Sequence, residues 1–356
     1  MKIVIAGGGT GGHIFPAISI AEEFMKRSGD NEVLFVGTNH GMEKDLIPSL
    51  GFNLKMINSR GIIGKGFIYK IRSMISALNG MFSSFWILRS FQPDLVLGVG
   101  GYVSGPTVLS AYINFIPTAI CEQNTVPGMT NRILSKFVRK IFVTFKDSVN
   151  YFPEKKVVVT GNPLRSGLIE KASNKNVSQS GFRIFIMGGS QGAAKINNII
   201  PGALADLNIK NLRVVHQTGK NHMKSVERQY REFGIEAEVH TFINDIADYY
   251  MTSDLIISRS GAGAISEITA FGKASVLIPY PFAAHNHQSL NAIFMEKAGA
   301  SVVVGEDLLT EKYLTEKING LLNENRLTLM SEASGKLAKP DAAKQIVEQL
   351  YSLVGN

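Results

Sequence analysis

Three glycine-rich turns hold the residues best suited to chemistry. The first, Gly7-Gly-Gly9-Thr10-Gly11-Gly12-His13, ends in a histidine. Closely spaced glycines let backbone N–H groups approach an anionic or sugar-bearing ligand, and a helix start behind them adds partial positive charge. An imidazole, with an ordinary pKa of about 6.5, suits a general base. The bland alternative is a histidine that only satisfies a helix start. The second turn, Gly188-Gly-Ser190-Gln-Gly192, repeats this grammar, with Ser190 placed either to cap its helix or to donate to a phosphate oxygen.

The third run, Ser258-Arg-Ser260-Gly-Ala262-Gly263-Ala264-Ile265-Ser266-Glu267, ends a strand and opens a helix in small residues. Ser260 is placed to cap it, and Ser260, Gly263 or Ala264, and Glu267 share one face. A diphosphate would repel a carboxylate, so Glu267 suits ribose hydroxyls further out; the alternative is a solvated helix charge. A polar loop follows at Pro279-Tyr-Pro-Phe-Ala-Ala-His285-Asn-His287-Gln288-x-x-Asn291. Its histidine pair has no Cys or carboxylate to complete a metal site, so sugar-hydroxyl recognition by Gln288 and Asn291 is the better functional reading. The chain contains no Asp-x-Asp, so helix N-termini rather than a divalent ion would neutralise a nucleotide diphosphate.

Gly7-x-Gly9-x-x-Gly12 also matches the dinucleotide fingerprint, but the acid that would bind ribose is missing after the second strand. That position reads Gly37-Thr38-Asn39, and Glu43 comes too late. A Walker loop fails because His13 stands where lysine belongs. The loop is a ligand turn without a standard cofactor assignment.

The elements that must carry these turns alternate. Short β-branched runs at Glu32–Val36, Leu54–Ile57, Asp94–Leu97, Thr118–Cys121, Lys140–Val143 and Val157–Thr160 follow the opening strand. Helical patterns fill the gaps at Ile14–Arg27, Ile68–Arg89, Gly105–Asn114 and Gly128–Phe137. Parallel strands with helical crossovers give an open doubly wound α/β sheet. The alternation halts near Gly161 and the polar stretch Lys171–Ser180, then restarts at Arg183 with strands at Leu212–His216, Glu238–Phe242, Leu255–Ser258, Ala274–Ile278 and Ser301–Val304. Two Rossmann-like halves follow, with ligands expected at the carboxyl ends of the strands.

With 356 residues and 45% apolar content, the chain is long enough for two cores. A single cysteine, Cys121, excludes an internal disulfide framework and a cysteine-based zinc site. The start reads as a strand rather than a signal peptide, and no apolar run approaches the roughly 18–20 residues of a membrane span. The net charge of +8 favours anionic partners without choosing among them. In Ile68–Arg89 the residues Ile71, Met74, Leu78, Met81 and Phe85 form an expected core stripe. Ile62, Ile63, Phe67, Ile75, Phe82 and Trp86 are surplus to it, rimmed by Lys65, Lys70, Arg72 and Arg89, with Arg132, Lys136, Arg139 and Lys140 as a possible extension. Such a face suits an anionic membrane surface; a buried helix with a solvated rim is the competing reading.

Gly7 to Ala17, Gly98-Val-Gly-Gly-Tyr-Val-Ser-Gly-Pro106, Glu122-Gln-Asn124, Gly161-Asn-Pro-Leu-Arg165, Gly188 to Gly192, Ser258-Arg-Ser-Gly261 and Gln288 occur in one order. In that order the chain resembles, end to end, the MurG family of peptidoglycan N-acetylglucosaminyltransferases. The resemblance implies a GT-B fold: two Rossmann-like doubly wound domains facing across a cleft. Residues 1–162 would associate with acceptor and membrane and 163–340 would bind the UDP-sugar, with a last helix in 341–356 packing back on the first domain. It implies inverting, metal-independent transfer, without cofactor or nucleic-acid partner, from UDP-N-acetylglucosamine to lipid I, the undecaprenyl-pyrophosphoryl-muramyl-pentapeptide. The place would be the cytoplasmic face of the cell membrane, held peripherally.

Carried over residue by residue, donor contacts fall on Thr10, Gly11, Gly12, Asn124, Arg165, Ser190, Ile243 (through its backbone, to uracil), Ala262, Gly263, Ala264, Ile265, Ser266, Glu267 and Gln288. His13 is the candidate for the catalytic base, and the glycines beside it would make room for the acceptor's pyrophosphate. Two departures stand out: Ala262-Gly-Ala-Ile replaces a more usual Ala-Leu-Thr-Val, and His287-Gln288 replaces a glutamine pair. A UDP-N-acetylglucosamine 2-epimerase of the same fold is the alternative enzyme, acting on soluble substrates with no use for the patch around Trp86. A nucleotide-sugar sensor without chemistry is the binding-class alternative.

Overall fold

A computed structural model describes residues 1–59, 67–173, 181–189, 192–322 and 325–355, with the backbone alone over 67–74. The chain divides into two compact units, Met1–Arg165 with Pro340–Asn356, and Ser166–Lys339.

The first unit is a seven-stranded sheet of β1 (Lys2–Gly7), β2 (Glu32–Gly37), β3 (Asn53–Met56), β4 (Leu95–Gly100), β5 (Thr118–Glu122), β6 (Lys140–Val143) and β7 (Val157–Val159). Its strands run parallel in the order 3-2-1-4-5-6-7. Between them lie α1 (Gly11–Arg27), α2 (Glu43–Ser49), α3 (Phe67–Phe91), α4 (Ser104–Ile113) and α5 (Met129–Leu134). The inner strands β1, β4 and β5 are buried on both faces, which is why β1 reads as an unbroken apolar run rather than an alternating one, whereas the edge strand β3 is largely exposed. Ile3 and Ile5 point into one core with α1, while Val4 and Ala6 point into the other with Val103 and Val108.

The second unit repeats the design with α6 (Ser166–Ser173), β8 (Phe182–Met187), α7 (Ala194–Ala205), β9 (Leu212–Gln217), α8 (Met223–Glu232), β10 (Glu236–His240), α9 (Ala247–Thr252), β11 (Leu255–Ser258), α10 (Ala262–Ala270), β12 (Ala274–Leu277), α11 (His287–Lys297), β13 (Ser301–Val303), α12 (Glu311–Leu321) and α13 (Arg326–Lys336). Its parallel sheet runs 10-9-8-11-12-13. The last helix, α14 (Ala342–Val354), belongs to the first unit. It buries Ile346, Val347 and Leu350 in the β1–α1 core, and its Tyr351 hydroxyl receives a 2.6 Å hydrogen bond from Asn31.

Three local expectations need correction, and one helix was not expected. Helix α1 starts at Gly11, three residues before the apolar pattern, because a first turn of glycines has no side chains to show periodicity. Helix α2 carries only seven residues and a proline, too little for a visible period. Strand β10 ends at His240, two residues earlier than the apolar run suggests. In α3 the inward stripe is Gly80, Ser84 and Leu88, and Leu78 of the expected core stripe is 57% exposed. Small residues let α3 lie close on α4: a Cβ on Gly80 would come within 3.1 Å of Pro106, and the Ser84 and Thr107 hydroxyls meet at 3.1 Å. Close approach by small side chains turns the large ones outward.

Leu350→Ala should cost the first unit about 2–5 kcal/mol, the usual range for a fully buried leucine. Hydrogen exchange at β1 measures this; unchanged protection there would mean that α14 does not hold this core together.

Candidate functional site

In each sheet the strand order reverses beside the first strand, between β1 and β4 and between β8 and β11. Loops leaving the two strands diverge to opposite faces there, and the crevice at their carboxyl ends is where such sheets bind ligands. In the first unit those loops are Gly7–Thr10 and Gly100–Val103. The β1–β4 register slips between Ala6, opposite Gly98, and Gly7, opposite Gly100. Val99 is left outside the pairing, as a bulge leaves its extra residue. The buried Ser104 hydroxyl locks this end, donating to Ala6's carbonyl at 2.8 Å and accepting from Gly100 N–H at 2.9 Å.

His13 lies in the first turn of α1. Thr10 precedes that turn with an extended backbone and no side-chain cap, and no acid follows in the turn. The first N–H groups of a helix lack intrahelical acceptors, so those of Gly11 and Gly12 are oriented for an anion. The imidazole rests against Gly100: a Cβ there would come within 2.5 Å of Nδ1, and φ is +109°. Only glycine meets both conditions. Gln123 Oε1 lies 3.0 Å from His13 Nδ1, and Gln123 Nε2 donates to the Val99 carbonyl at 3.0 Å. Burial of the ring lowers its pKa, outweighing the hydrogen bonds to Gln123 and Val99 that would raise it. The imidazole is therefore neutral near pH 7, the state a proton acceptor needs.

Two buried carboxylates hold the walls of this crevice, and the sequence alone assigns a role to neither. Glu43 is 1% exposed and reaches back from α2. It accepts from Gly9 N–H at 3.0 Å, Thr38 N–H at 2.9 Å and the Thr38 hydroxyl at 2.8 Å. An internal anion thus occupies part of the glycine cradle, and a Cβ on Gly8 or Gly41 would collide with it. The acid that comes too late for ribose is the one that shapes the loop. Glu122 accepts from the N–H groups of Asn124 (3.0 Å) and Gly128 (3.2 Å) and from Asn131 Nδ2 (2.8 Å). Burial raises its pKa, and these donors oppose the shift. It thereby folds the turn that presents Asn124. Arg165 completes this side, its guanidinium 5.0 Å from the centre of the Phe15 ring.

In the second unit, α10 starts at Ala262 behind Gly261, with no side-chain cap and no acid in its first turn. Ser260 does not cap it; its hydroxyl donates to the Gln288 carbonyl at 2.8 Å. Neighbouring backbone satisfies the hydroxyl and leaves the helix start open. Ala262 and Ile265 are buried, Ile265 N–H bonds the Gly261 carbonyl, and the Ser266 hydroxyl turns back to Ala262's carbonyl. What this turn offers a ligand is the backbone at Ala262 to Ala264. One turn on, Glu267 Oε2 accepts from the Tyr250 hydroxyl at 2.9 Å, which fixes the carboxylate.

Gln288 Oε1 accepts from Tyr280 N–H at 2.9 Å, so its amide nitrogen is the end left to donate. Asn291, expected at a sugar, is instead fully buried and donates to the Ser260 carbonyl at 3.2 Å. The buried Ile243 N–H donates to Gln217 Oε1 at 3.0 Å. His285 and Asn286 both adopt left-handed backbone, with φ of 52° and 56°, in the loop before α11. Such conformations cost energy and gather where a loop's shape serves a ligand. Among the described residues no group of three or more His, Cys, Asp or Glu is assembled as metal ligands. Ser190 lies outside the described residues.

The Glycosyltransferase family 28 N-terminal domain matches residues 3–143, and the family's C-terminal domain matches 183–346. A relative from Geobacter sulfurreducens is 44% identical over 358 residues, covering 99% of this chain and 98% of its own. One from Myxococcus xanthus is 42% identical over 357 residues, covering 99% and 93%. Both are named UDP-N-acetylglucosamine--N-acetylmuramyl-(pentapeptide) pyrophosphoryl-undecaprenol N-acetylglucosamine transferase. Among solved structures, Acinetobacter baumannii MurG superposes with a TM-score of 0.82 at 30% identity, over 99% of both chains. A UDP-N-acetylglucosamine 2-epimerase from Neisseria meningitidis superposes at 0.69 and 18% identity, over 99% of this chain and 100% of its own, a likeness of fold alone.

Glu43→Leu would take the acceptor away from the Gly9 and Thr38 N–H groups and from the Thr38 hydroxyl, and should cost about 1–3 kcal/mol. Urea unfolding of the variant tests this, and a loss below about 0.5 kcal/mol would mean that the carboxylate is not what holds the loop.

Proposed function

The chain belongs to glycosyltransferase family 28, and from that premise we propose that it transfers N-acetylglucosamine from UDP-N-acetylglucosamine to lipid I, yielding lipid II and UDP. The whole-length kinship to enzymes bearing that name carries this reading. The epimerase alternative is set aside, since its likeness ends at the fold.

The muramyl 4-hydroxyl attacks the anomeric carbon while UDP departs from the opposite face, with inversion. The proton of the attacking hydroxyl passes to His13, which a lowered pKa keeps neutral and ready. The uncapped start of α10 suits the diphosphate: its N–H groups offer donors and partial positive charge where the leaving group develops negative charge. Glu267, steadied by Tyr250, binds the ribose hydroxyls. Gln288, whose oxygen is taken by Tyr280, donates through its amide nitrogen to the amino sugar. With its N–H engaged by Gln217, Ile243 meets uracil through its carbonyl, an acceptor matched to the base's N3–H. Thr10, Gly11 and Gly12 supply the open turn beside His13, where the acceptor's pyrophosphate is drawn to the uncapped N–H groups. Asn124 and Arg165, held by Glu122 and Phe15, orient the sugars.

Lipid I implies a membrane, and α3 supplies a surface for it. Ile75, Leu78, Phe82 and Trp86 form an outward stripe, each more than half exposed. Phe82 and Phe85 meet Trp86 edge to face at 6.2 and 5.6 Å. Also exposed are Ile113, Met129, Ile133 and Phe115, the last at 92%. Exposed Arg89, Arg132, Lys136 and Arg139 carry positive charge. An apolar face with basic neighbours fits peripheral docking on an anionic bilayer. Among the described residues no helix is long and apolar enough to cross one. Phe67, Lys70 and Arg72 belong to this expectation but their side chains lie outside the described residues, as do Ile62, Ile63 and Lys65.

Release of UDP should require a lipid I analogue; release that is equal with and without it would sink the proposal. His13→Ala should lower kcat about 10²–10⁴-fold while leaving UDP affinity near wild type. Because the neutral imidazole is the active form, the wild-type rate should fall with acid only below the ordinary histidine range. Near-normal turnover of His13→Ala under saturating substrates would remove the base assignment. Phe82→Glu with Trp86→Glu should weaken binding to anionic phospholipid vesicles by at least about tenfold at unchanged UDP affinity, and unchanged vesicle binding would point docking elsewhere.

A further inference from the structure

We infer that Gln123 sets the tautomer of His13, keeping the proton on Nδ1 and leaving Nε2 as the nitrogen that accepts a proton. The inference rests on His13 being the base, and it adds a positioning residue to that reading.

It follows from which end of an amide can face which neighbour. Val99 is skipped in the β1–β4 register, and β4 pairs with β5 only as far as Gly98 opposite Ile120. The Val99 carbonyl accepts from Gln123 Nε2 at 3.0 Å. A carbonyl oxygen only accepts, so the amide must present its NH₂ end there. The reverse orientation would set two oxygens against each other. Gln123 is 3% exposed and Val99 fully buried, so neither can turn to water instead. The carboxamide oxygen is thereby committed to His13 Nδ1, 3.0 Å away.

That oxygen also only accepts, and the sole way to satisfy it is an N–H on Nδ1. A neutral imidazole carries one proton, so the lone pair is on Nε2, across the ring. The opposite tautomer would set the Nδ1 lone pair against the oxygen's own lone pairs. Gly100 makes the arrangement possible, since a side chain there would push the ring away from Gln123. In effect the Val99 carbonyl orients an amide, and the amide orients a proton.

The test is ¹⁵N NMR of histidine-labelled protein at a pH where His13 is neutral, its signals assigned by their loss in His13→Gln. We expect a protonated Nδ1 and an unprotonated Nε2; a protonated Nε2 would overturn the inference. Gln123→Leu should populate both tautomers and lower kcat on the order of 10- to 100-fold, with KM for UDP-N-acetylglucosamine within about twofold and UDP affinity showing that the fold is intact. An unaltered tautomer in Gln123→Leu also overturns the inference. A tautomer that shifts while kcat does not would support Gln123's control of the proton and instead count against His13 as the base.

Discussion

A parallel strand buried on both faces can carry polar chemistry only at its ends, and that constraint organises this molecule. β1 and β8 are walled by apolar cores, so every group able to touch a ligand is displaced to the turns that leave their carboxyl ends. The chain then does the same thing twice. At each reversal of strand order a helix begins without a side-chain cap, at Gly11 in one unit and Ala262 in the other. Unspent N–H groups at a helix start are a cost in isolation and an asset beside an anion.

What differs between the units is the company of that helix start. In the first unit the turn is crowded with groups that hold one another: Glu43 within the glycine loop, Ser104 between two strands, Gln123 between Val99 and His13. Their common product is a neutral imidazole in a fixed orientation. The second unit offers backbone donors, a carboxylate braced by Tyr250 and an amide braced by Tyr280. These are groups that accept and donate hydrogen bonds, and none is an imidazole held neutral. The separation suits a transfer between two substrates with different demands: one must lose a proton, the other must lose a diphosphate.

The surface of the first unit follows from packing as much as from composition. Gly80 and Ser84 bring α3 down on α4, and around these two positions the inward side of the helix has no room for large residues. Aromatic and aliphatic side chains that would make a core elsewhere are turned to solvent.

The sequence by itself determined the alternating strands and helices, the two-fold repetition of a doubly wound sheet and the glycine turns at the ends of β1, β8 and β11. These are local: β-branched runs, glycine tracts and apolar spacing act on neighbouring residues. It also marked His13, Glu267 and Gln288, because polar residues beside such turns have few structural reasons to be there. Only the tertiary structure decided what these residues do with their partners. Glu43 reaches the loop at Gly9 from another crossover, Gln123 meets His13 from the end of β5, and Ser260 spends its hydroxyl on Gln288 instead of capping α10. In α3 the spacing marked Ile75, Phe82 and Trp86 as surplus to a core stripe, but not that Leu78 joins them or that Gly80 and Ser84 make the contact with α4, since spacing shows that residues share a face and not which face is covered. Hydrogen bonds between distant segments depend on how strands stack in space, and nothing in local spacing records that.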